Sequence, residues 1–309
     1  MQKGSGSLSL FIKLRGVVGR GALNFKRPKF KRLYFLKMTW IAPHLTGGLG
    51  NRLFQYGAAA GLSEKWGLPV VFFLPRCGPT NHGPFDNIFK LFPKVSHVNT
   101  SNEWDTLLEN AGTLYTYQEF PAKPTNEKCH IVQGWRQTEK YFPTKGLHLD
   151  FENALGLEKI SSLNREITEP VNTWFIHVRL GDYKVLAHHQ VNLTSYYTKC
   201  LEKVPRGSTL LLFSDEPKAC ANSFAETAAS LGLDFVMCDT PDELVSLYLM
   251  SLCKGGAITA NSTFSWWGAY CAHQGASPAF QAFYPASWGQ GMPPATDIVP
   301  SWGTRIEVE

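Results

Sequence analysis

Arg179 stands at the end of a predicted strand, within the segment HVRLGDY at residues 177–183. A guanidinium group in such a place can hold a diphosphate through two parallel hydrogen bonds, which a lysine cannot do. His177 precedes Arg179 by two residues, so both side chains point to the same face of the strand. Asp182 offers Arg179 a simpler partner in a salt bridge, and the two roles are compatible. The segment therefore predicts an anion site at this strand end.

A glycine-rich segment, GGLGNR at residues 47–52, connects a predicted strand to a predicted helix. Gly48 and Gly50 allow the backbone to approach a ligand closely, and the helix start near Asn51 offers free N–H groups and a positive dipole to an anion. The segment matches neither the dinucleotide-binding G-x-G-x-x-G pattern nor a P-loop. A tight turn without any ligand would need similar glycines, so the segment alone leaves both interpretations open.

Two further segments place polar side chains after strands, FSDE at residues 213–216 and NSTFSWW at residues 261–267. Asp215 is suited to accept hydrogen bonds from the N–H groups of a purine, although a helix cap explains an acid there equally well. Ser262 and Thr263 begin a helix without nearby acids, which suits a phosphate. The two tryptophans that follow are more typical of a hydrophobic core. No metalloprotease or serine-hydrolase motif is present, and metal-independent transfer from an activated phosphate donor fits best.

An alternation of apolar and amphipathic stretches positions these segments. Residues 40–74 predict a β-α-β unit, and residues 173–273 predict four strands interleaved with four helices. Parallel neighbouring strands need crossover helices, so the pattern indicates an α/β fold with parallel sheets. Ligands of such sheets bind beyond the carboxyl ends of the strands. We expect an N-terminal α/β domain at residues 39–168 and a C-terminal α/β domain at residues 169–309.

Positive charge is concentrated in residues 1–38, which contain ten Lys or Arg and no Asp or Glu. The net charge of +5 therefore belongs to this arm, and the acidic remainder gives no case for nucleic-acid binding. The arm is typical of a flexible tail, of a transit segment read by import machinery, or of a segment that contacts a membrane surface. No apolar run is long enough for a transmembrane segment. Seven cysteines without a C-x-x-C pair predict reduced thiols and no metal site.

In order and spacing, these segments resemble the α-1,2-fucosyltransferase family, whose members carry GGLGNQLFQY, HVRRGDY, FSDD and NSTFSWW. This chain has GGLGNRLFQY at 47–56, HVRLGDY at 177–183, FSDE at 213–216 and NSTFSWW at 261–267. The segments GWRQTEKYF at 134–142 and PSW at 300–302 are similar to two further motifs of the family. The resemblance covers about residues 40–306 and leaves the basic arm outside.

The resemblance implies a GT-B-like fold of two facing Rossmann-like domains, with the N-terminal domain on the acceptor side and the C-terminal domain binding the GDP-sugar. The donor substrate that it implies is GDP-fucose, with neither a cofactor nor a metal. It also implies transfer with inversion to the 2-hydroxyl of a glycan that ends in β-galactose. Arg179 would hold the β-phosphate. The other binding residues implied by the resemblance are His177 and Asp215 for guanine, Ser262 and Thr263 for phosphate oxygens, and Asn51 with Gly48 and Gly50 for the diphosphate.

Two positions depart from the family pattern, because Leu180 replaces its second arginine and Arg52 replaces its usual glutamine. We expect the first change to remove a cation beside the diphosphate and the second to add one at the facing helix start. The group that accepts the proton of the acceptor hydroxyl is predicted to be His189 or Asp182, which lie in or just after the Arg179 loop, and histidine titrates near neutral pH. Asp182 is also suited to orienting Arg179.

Two other functions fit the sequence. One is transfer from another GDP-sugar, because the predicted contacts recognise guanine and diphosphate rather than the sugar. The other is a catalytically silent module that binds a glycan or nucleotide, which the loss of the second arginine would allow. We expect a soluble, cytoplasmic protein. An organelle is an alternative location because the arm resembles a transit segment, and the Golgi is another because animal members of the family are usually found there. The sequence does not indicate an oligomeric state.

Overall fold

The computed structural model of the protein describes residues 39–78, 83–99, 104–107, 114–123 and 129–308. The basic arm predicted at residues 1–38 lies outside these ranges. The elements that precede residue 169 are called the N-terminal half, and those that follow it the C-terminal half. None of the helices within the described ranges is both long enough and apolar enough to cross a membrane.

In the described ranges, the N-terminal half contains short parallel strands and four α-helices. The predicted β-α-β unit is confirmed as β1 (Ile41–Pro43), α1 (Leu49–Trp66) and β2 (Val71–Phe73). Its other elements are α2 (Asn87–Leu91), β3 (Ser96–Val98), β4 (Trp104–Leu107), β5 (Cys129–Val132), α3 (Phe151–Leu155) and α4 (Leu157–Asn164). The strands pair in parallel in the orders β1-β5-β4 and β2-β3, and a bridge between Ile41 and Val70 connects the two sheets.

The helical spacing of apolar residues over 151–167 predicts one helix, but the structure has two. Gly156 separates α3 from α4 and has a φ of 82°, a left-handed value that interrupts a right-handed helix and that glycine adopts readily. The prediction of a single helix was therefore wrong at this point. The apolar periodicity runs through the break, which is why the pattern alone did not reveal it.

The C-terminal half is a six-stranded parallel sheet with the order β11-β10-β9-β6-β7-β8. Its first eight elements confirm the predicted alternation: β6 (Thr173–Val178), α5 (Thr194–Leu201), β7 (Thr209–Ser214), α6 (Pro217–Leu231), β8 (Asp234–Met237), α7 (Glu243–Ser251), β9 (Gly256–Ile258) and α8 (Thr263–His273). Two strands that the sequence did not predict, β10 (Gln281–Pro285) and β11 (Thr304–Ile306), extend the sheet at one edge. The predicted fold class, α/β with two parallel-sheet halves that face each other, is confirmed.

Both halves contribute to one hydrophobic core. The ring of Phe54 in α1 lies 4.5 Å from that of Trp266 and 5.2 Å from that of Trp267, both in α8. Phe142 stacks on Trp267 at 5.2 Å. Trp266 and Trp267 are fully buried, which confirms that they serve the core. The two halves are therefore joined by packed aromatic side chains, and α1 and α8 meet along this contact.

Two glycines of α1, on the same face as Phe54, allow close approach of a second segment. A Cβ at Gly61 would lie 1.8 Å from the carbonyl oxygen of Tyr141, and one at Gly57 would lie 2.6 Å from the ring of Phe142. A side chain at either position would displace the segment around residues 139–142. Helix α1 is thus held by this segment as well as by α8.

Candidate functional site

A cleft of about 710 Å³ lies between the two halves. It is bordered by the carboxyl ends of β6, β7, β8 and β9 and by the first residues of α1 and α8, as expected for a parallel α/β sheet. All ten residues predicted for the site line it: Gly48, Gly50, Asn51, His177, Arg179, Asp182, His189, Asp215, Ser262 and Thr263. The predicted residues therefore share one space, although their individual roles stay predictions.

Arg179 follows β6 directly and is held by two carboxylates. Its guanidinium nitrogens lie 2.6 Å from Oδ1 of Asp182 and 3.1 Å from Oδ2 of Asp215. The guanidinium carbon lies 5.6 Å from the centre of the Tyr183 ring. The side chain remains about one quarter exposed, at 27%. The predicted salt bridge to Asp182 is present, and it leaves part of the guanidinium open to the cleft.

Asp215 organises the same loop. Its Oδ1 accepts a hydrogen bond of 2.9 Å from the backbone N–H of Leu180, and a Cβ at Gly181 would lie 2.3 Å from its Oδ2. Glu216, rather than Asp215, occupies the N-cap position of α6, so Asp215 does not cap this helix. The Leu180 side chain packs against the hydrophobic cluster of the C-terminal half and does not line the cleft.

Two helix N-termini meet at the wall of the cleft. Oδ1 of Asn51 in the first turn of α1 accepts hydrogen bonds from Oγ1 of Thr263 at 3.0 Å and from Nε2 of Gln137 at 2.9 Å. Ser262 is the N-cap of α8, and its hydroxyl accepts from the backbone N–H of Phe264. A Cβ at Gly50 would lie 2.6 Å from the backbone of Thr263, so this glycine permits the two helices to touch. The positive ends of both helix dipoles therefore lie together at this wall of the cleft.

His177 is buried at the end of β6. Burial, with a smaller contribution from the Arg179 charge, lowers the pKa of its imidazole from 6.5 to about 3. Its Nδ1 has no hydrogen-bond partner within the described ranges, and its ring lies 5.8 Å from that of Phe264. His177 is therefore a neutral imidazole at physiological pH, with a buried nitrogen that has no partner among the described residues.

His189 is half-buried in the loop that follows Arg179. Its ring stacks on Tyr183 at 4.4 Å, with an interplanar angle of 11°, and lies 4.2 Å from the ring of His188. Burial lowers the pKa of His189, and the charges of His188 and Arg179 add to this, whereas Asp182 acts in the opposite direction. A neutral imidazole results, which is the form that accepts a proton.

Arg52 does not lie in the cleft. It is fully buried, and its Nη1 donates to the carbonyl oxygen of Phe85 at 2.8 Å and to that of Pro84 at 3.4 Å. Its guanidinium also lies over the Phe85 ring, at 4.9 Å. The expectation that Arg52 adds a cation beside a diphosphate is wrong, because packing against residues 84–85 directs the side chain to the other side of α1.

Glu243 and Trp135 are among the cleft residues that sequence reasoning did not predict. Glu243, at the start of α7, lines the cleft and accepts a hydrogen bond of 2.8 Å from Asn87 of the opposite half, and burial raises the pKa of its carboxyl. The rule that points to loops after strands would have found it, since it follows β8. Trp135 lines the cleft from the N-terminal half. Its segment had been singled out, but nothing in the sequence indicated which of its side chains faces solvent.

Within the part of the chain that the structure describes, no three His, Cys, Asp or Glu side chains are grouped so that they could hold a metal ion. The charged groups of the cleft are instead an arginine with two carboxylates beside two helix starts. Such a site is typical of an enzyme that binds a substrate bearing an anionic group.

Comparison with known proteins defines the class as a glycosyltransferase. Residues 113–282, more than half of the chain, match the family described as "Glycosyl transferase family 11". The O-antigen biosynthesis glycosyltransferase WbnK of Escherichia coli is 36% identical over 272 residues, which cover 73% of this chain and 88% of that protein. The alpha-1,2-colitosyltransferase of Escherichia coli is 26% identical over 260 residues, which cover 75% and 88%. The chain belongs to glycosyl transferase family 11.

Solved structures of two fucosyltransferases have weaker similarity to the chain. The fucosyltransferase NodZ from Bradyrhizobium has a TM-score of 0.47 and 14% identity, over 75% of this chain and 91% of that one. POFUT1 in complex with GDP has a TM-score of 0.46 and 11% identity, over 80% and 98%.

Proposed function

We propose that this glycosyltransferase is an inverting, metal-independent α-1,2-fucosyltransferase. It would move fucose from GDP-fucose to the 2-hydroxyl of a terminal β-galactoside. The observation that carries the proposal is the position of Arg179, fixed by Asp182 and Asp215 in the same cleft that receives the N-termini of α1 and α8. Family membership and the motif resemblance support it further.

The diphosphate of the donor is assigned to the space between Arg179 and the two helix starts. A guanidinium and two helix dipoles supply positive charge from three directions, which suits a group with two adjacent phosphates. This charge acts most strongly when the bond to fucose breaks, since negative charge then accumulates on the leaving phosphate. Ser262, Thr263 and Asn51 would complete the phosphate contacts. Arg179 would thus serve both binding and leaving-group stabilisation.

The guanine base is assigned to the part of the cleft near Asp215 and His177. An ionised carboxylate accepts hydrogen bonds from two adjacent N–H groups, which guanine presents on one edge. A neutral imidazole at the edge of the cleft would add a directional contact without adding charge. Asp215 already holds Arg179 and the loop after β6, so base binding and phosphate binding would be coupled through one side chain.

Transfer would proceed by displacement at the anomeric carbon of fucose. The O2 of galactose forms a bond to this carbon from the face opposite the diphosphate, and the electron pair of the breaking C–O bond leaves with GDP. The proton of the acceptor hydroxyl goes to His189 in this proposal, because its neutral imidazole faces the cleft. Asp182 is the alternative acceptor, but its carboxylate is engaged by Arg179 at 2.6 Å.

A second candidate for the donor substrate is another GDP-sugar, and a specific observation supports this alternative. One relative is named an alpha-1,2-colitosyltransferase, and the contacts proposed here recognise guanine and diphosphate rather than the sugar. A catalytically silent module has less support. Leu180 is turned away from the cleft, so its presence does not by itself deplete the cleft of charge.

The test uses the purified full chain, labelled GDP-fucose and a panel of glycans that end in β-galactose, with unlabelled competing GDP-sugars. We expect label in the acceptor, an α-1,2 linkage by NMR and unchanged rates with EDTA. Arg179→Ala should lower kcat by about 100-fold or more, as for other lost charge stabilisation in transition states, with Arg179→Lys intermediate. Lys184→Ala is the matched control, since Lys184 lies in the same loop but pairs with Glu216 outside the cleft. A folded Arg179→Ala protein with parental kcat would refute the proposal.

A further inference from the structure

Several large hydrophobic side chains are exposed in the described ranges, and Trp135 is the aromatic one among them. It is 38% exposed, and it lines the cleft from the N-terminal half. The other tryptophan of the cleft, Trp288, is buried at 4% exposure. An exposed tryptophan forgoes much of the gain from burying its ring, so its position calls for a cause other than core packing.

The backbone around Trp135 is arranged to present this ring. Gly134 has a φ of 90° and Arg136 a φ of 47°, so two left-handed residues bracket Trp135. Arg136 is the non-glycine residue with positive φ in the described chain, and such a conformation persists only when the surroundings enforce it. Strained backbones of this kind concentrate at binding sites.

The surroundings that enforce it are on either side of the tryptophan. The Arg136 side chain is buried, with its guanidinium 4.7 Å from the Phe120 ring and 5.1 Å from the Tyr141 ring, and its Nε donates to the carbonyl oxygen of Gln133 at 2.8 Å. Gln137 on the other side donates to Asn51 of α1. Trp135 is thus a fixed side chain rather than one free to fold back into the core.

The ring edge of Trp135 lies against the glycine-rich turn. A Cβ at Gly47, whose φ is 74°, would lie 3.2 Å from Cζ3 of Trp135. Leu186 and His189 of the C-terminal half line the same cleft. The same Cβ at Gly47 would lie 2.8 Å from Nδ2 of Asn51, so the indole presents an apolar face to the cleft beside the start of α1.

We propose that Trp135 is the platform on which the acceptor sugar stacks. The inference rests on the proposed function and adds the residue that recognises the acceptor. A β-galactose has one face made of C–H groups, and this face is complementary to an indole ring, which provides a large flat contact surface. Stacking would leave the hydroxyl groups at the edge of the sugar free, so that O2 can face the donor. The face of an indole offers no charge to a diphosphate, so it suits the sugar better than the phosphates.

The experiment measures initial rates against acceptor concentration at saturating GDP-fucose, and GDP binding by calorimetry. Trp135→Ala should raise the KM for the acceptor about tenfold or more, equivalent to about 1.4 kcal/mol, with the Kd for GDP within about twofold of the parent. Trp135→Phe should restore most of the affinity, since a ring is present. Leu157→Ala is the matched control, because Leu157 is 64% exposed in the same half but outside the cleft.

A change in sugar preference adds a readout that general damage to the fold would not produce. The parent should prefer β-galactosides to β-glucosides, which differ at C4 and so in the shape of the C–H face, and Trp135→Ala should reduce this preference. An active Trp135→Ala protein with parental acceptor KM and preference overturns the inference alone. A parent that transfers fucose to no β-galactoside overturns the proposed function, and this inference with it.

Discussion

The buried imidazole of His177 should make the folded protein less stable in mild acid. In the folded protein, burial and Arg179 lower its pKa to about 3, whereas the unfolded chain returns it to about 6.5. Between these values the unfolded state binds a proton that the folded state does not bind. The free energy of unfolding therefore falls as the pH falls through this window.

The size of the effect follows from the shift. Well below pH 6.5, each pH unit removes about 1.4 kcal/mol, so the loss at about pH 5 relative to about pH 8 is about 2 kcal/mol. His177→Phe keeps a ring of similar shape and cannot be protonated. The variant should therefore lose this share of the pH dependence, whatever the substitution does to stability at neutral pH.

The assay is urea unfolding, followed by tryptophan fluorescence at a series of pH values. The quantity of interest is the difference between parent and variant in the free energy of unfolding, because contributions from the other histidines cancel in it. Above about pH 7.5 this difference should be constant, which is the internal control. A difference that stays constant down to about pH 5 would show that His177 is readily protonated in the folded protein.

Four further substitutions test other contacts. Gly61→Ala should lower the free energy of unfolding by about 1–3 kcal/mol, measured by urea unfolding, because its methyl group meets the Tyr141 carbonyl. Lys254→Met should cost about 1–3 kcal/mol in the same measurement, since Lys254 Nζ donates to three carbonyls at the end of α8; no change would contradict this. Arg52→Gln should reduce stability by a similar amount while the KM for GDP-fucose stays within about twofold, and a raised KM would restore Arg52 to the donor site. His189→Ala should lower kcat by about 100-fold and remove the acidic limb of the pH–rate profile, which the lowered pKa puts below pH 6.5 in the parent; parental kcat would exclude His189 as the base.

The sequence predicted the parallel sheet of the C-terminal half well because its strands are short apolar runs separated by long amphipathic helices. β6 is buried along its whole length, as expected for a central parallel strand, and such a strand appears in the sequence as a nearly continuous apolar run. β10 and β11 were missed because they lie at the sheet edge among prolines, glycines and polar residues. In the N-terminal half, β3 to β5 have only three or four residues each, too few for a periodicity to emerge.

The site residues could be predicted because each follows a strand or begins a helix, and the fold brings those points to one edge. Side-chain direction could not be predicted in the same way. Arg52 and Leu180 stand in motif segments, yet both point away from the cleft because neighbouring residues offer buried carbonyls to one and an apolar cluster to the other. Trp135 faces the cleft because of the left-handed conformation of Arg136, which no local pattern indicates.

The aromatic contact between α1 and α8 limits how this enzyme can be re-engineered. Phe54 packs against Trp266 and Trp267, so a C-terminal half grafted from a distant homologue would meet a surface shaped for different partners. Chimeras of that kind should aggregate unless the facing side of α1 is transplanted too. New specificity is better sought through point substitutions in the loops that border the cleft, because these loops can vary without disturbing the contact between α1 and α8.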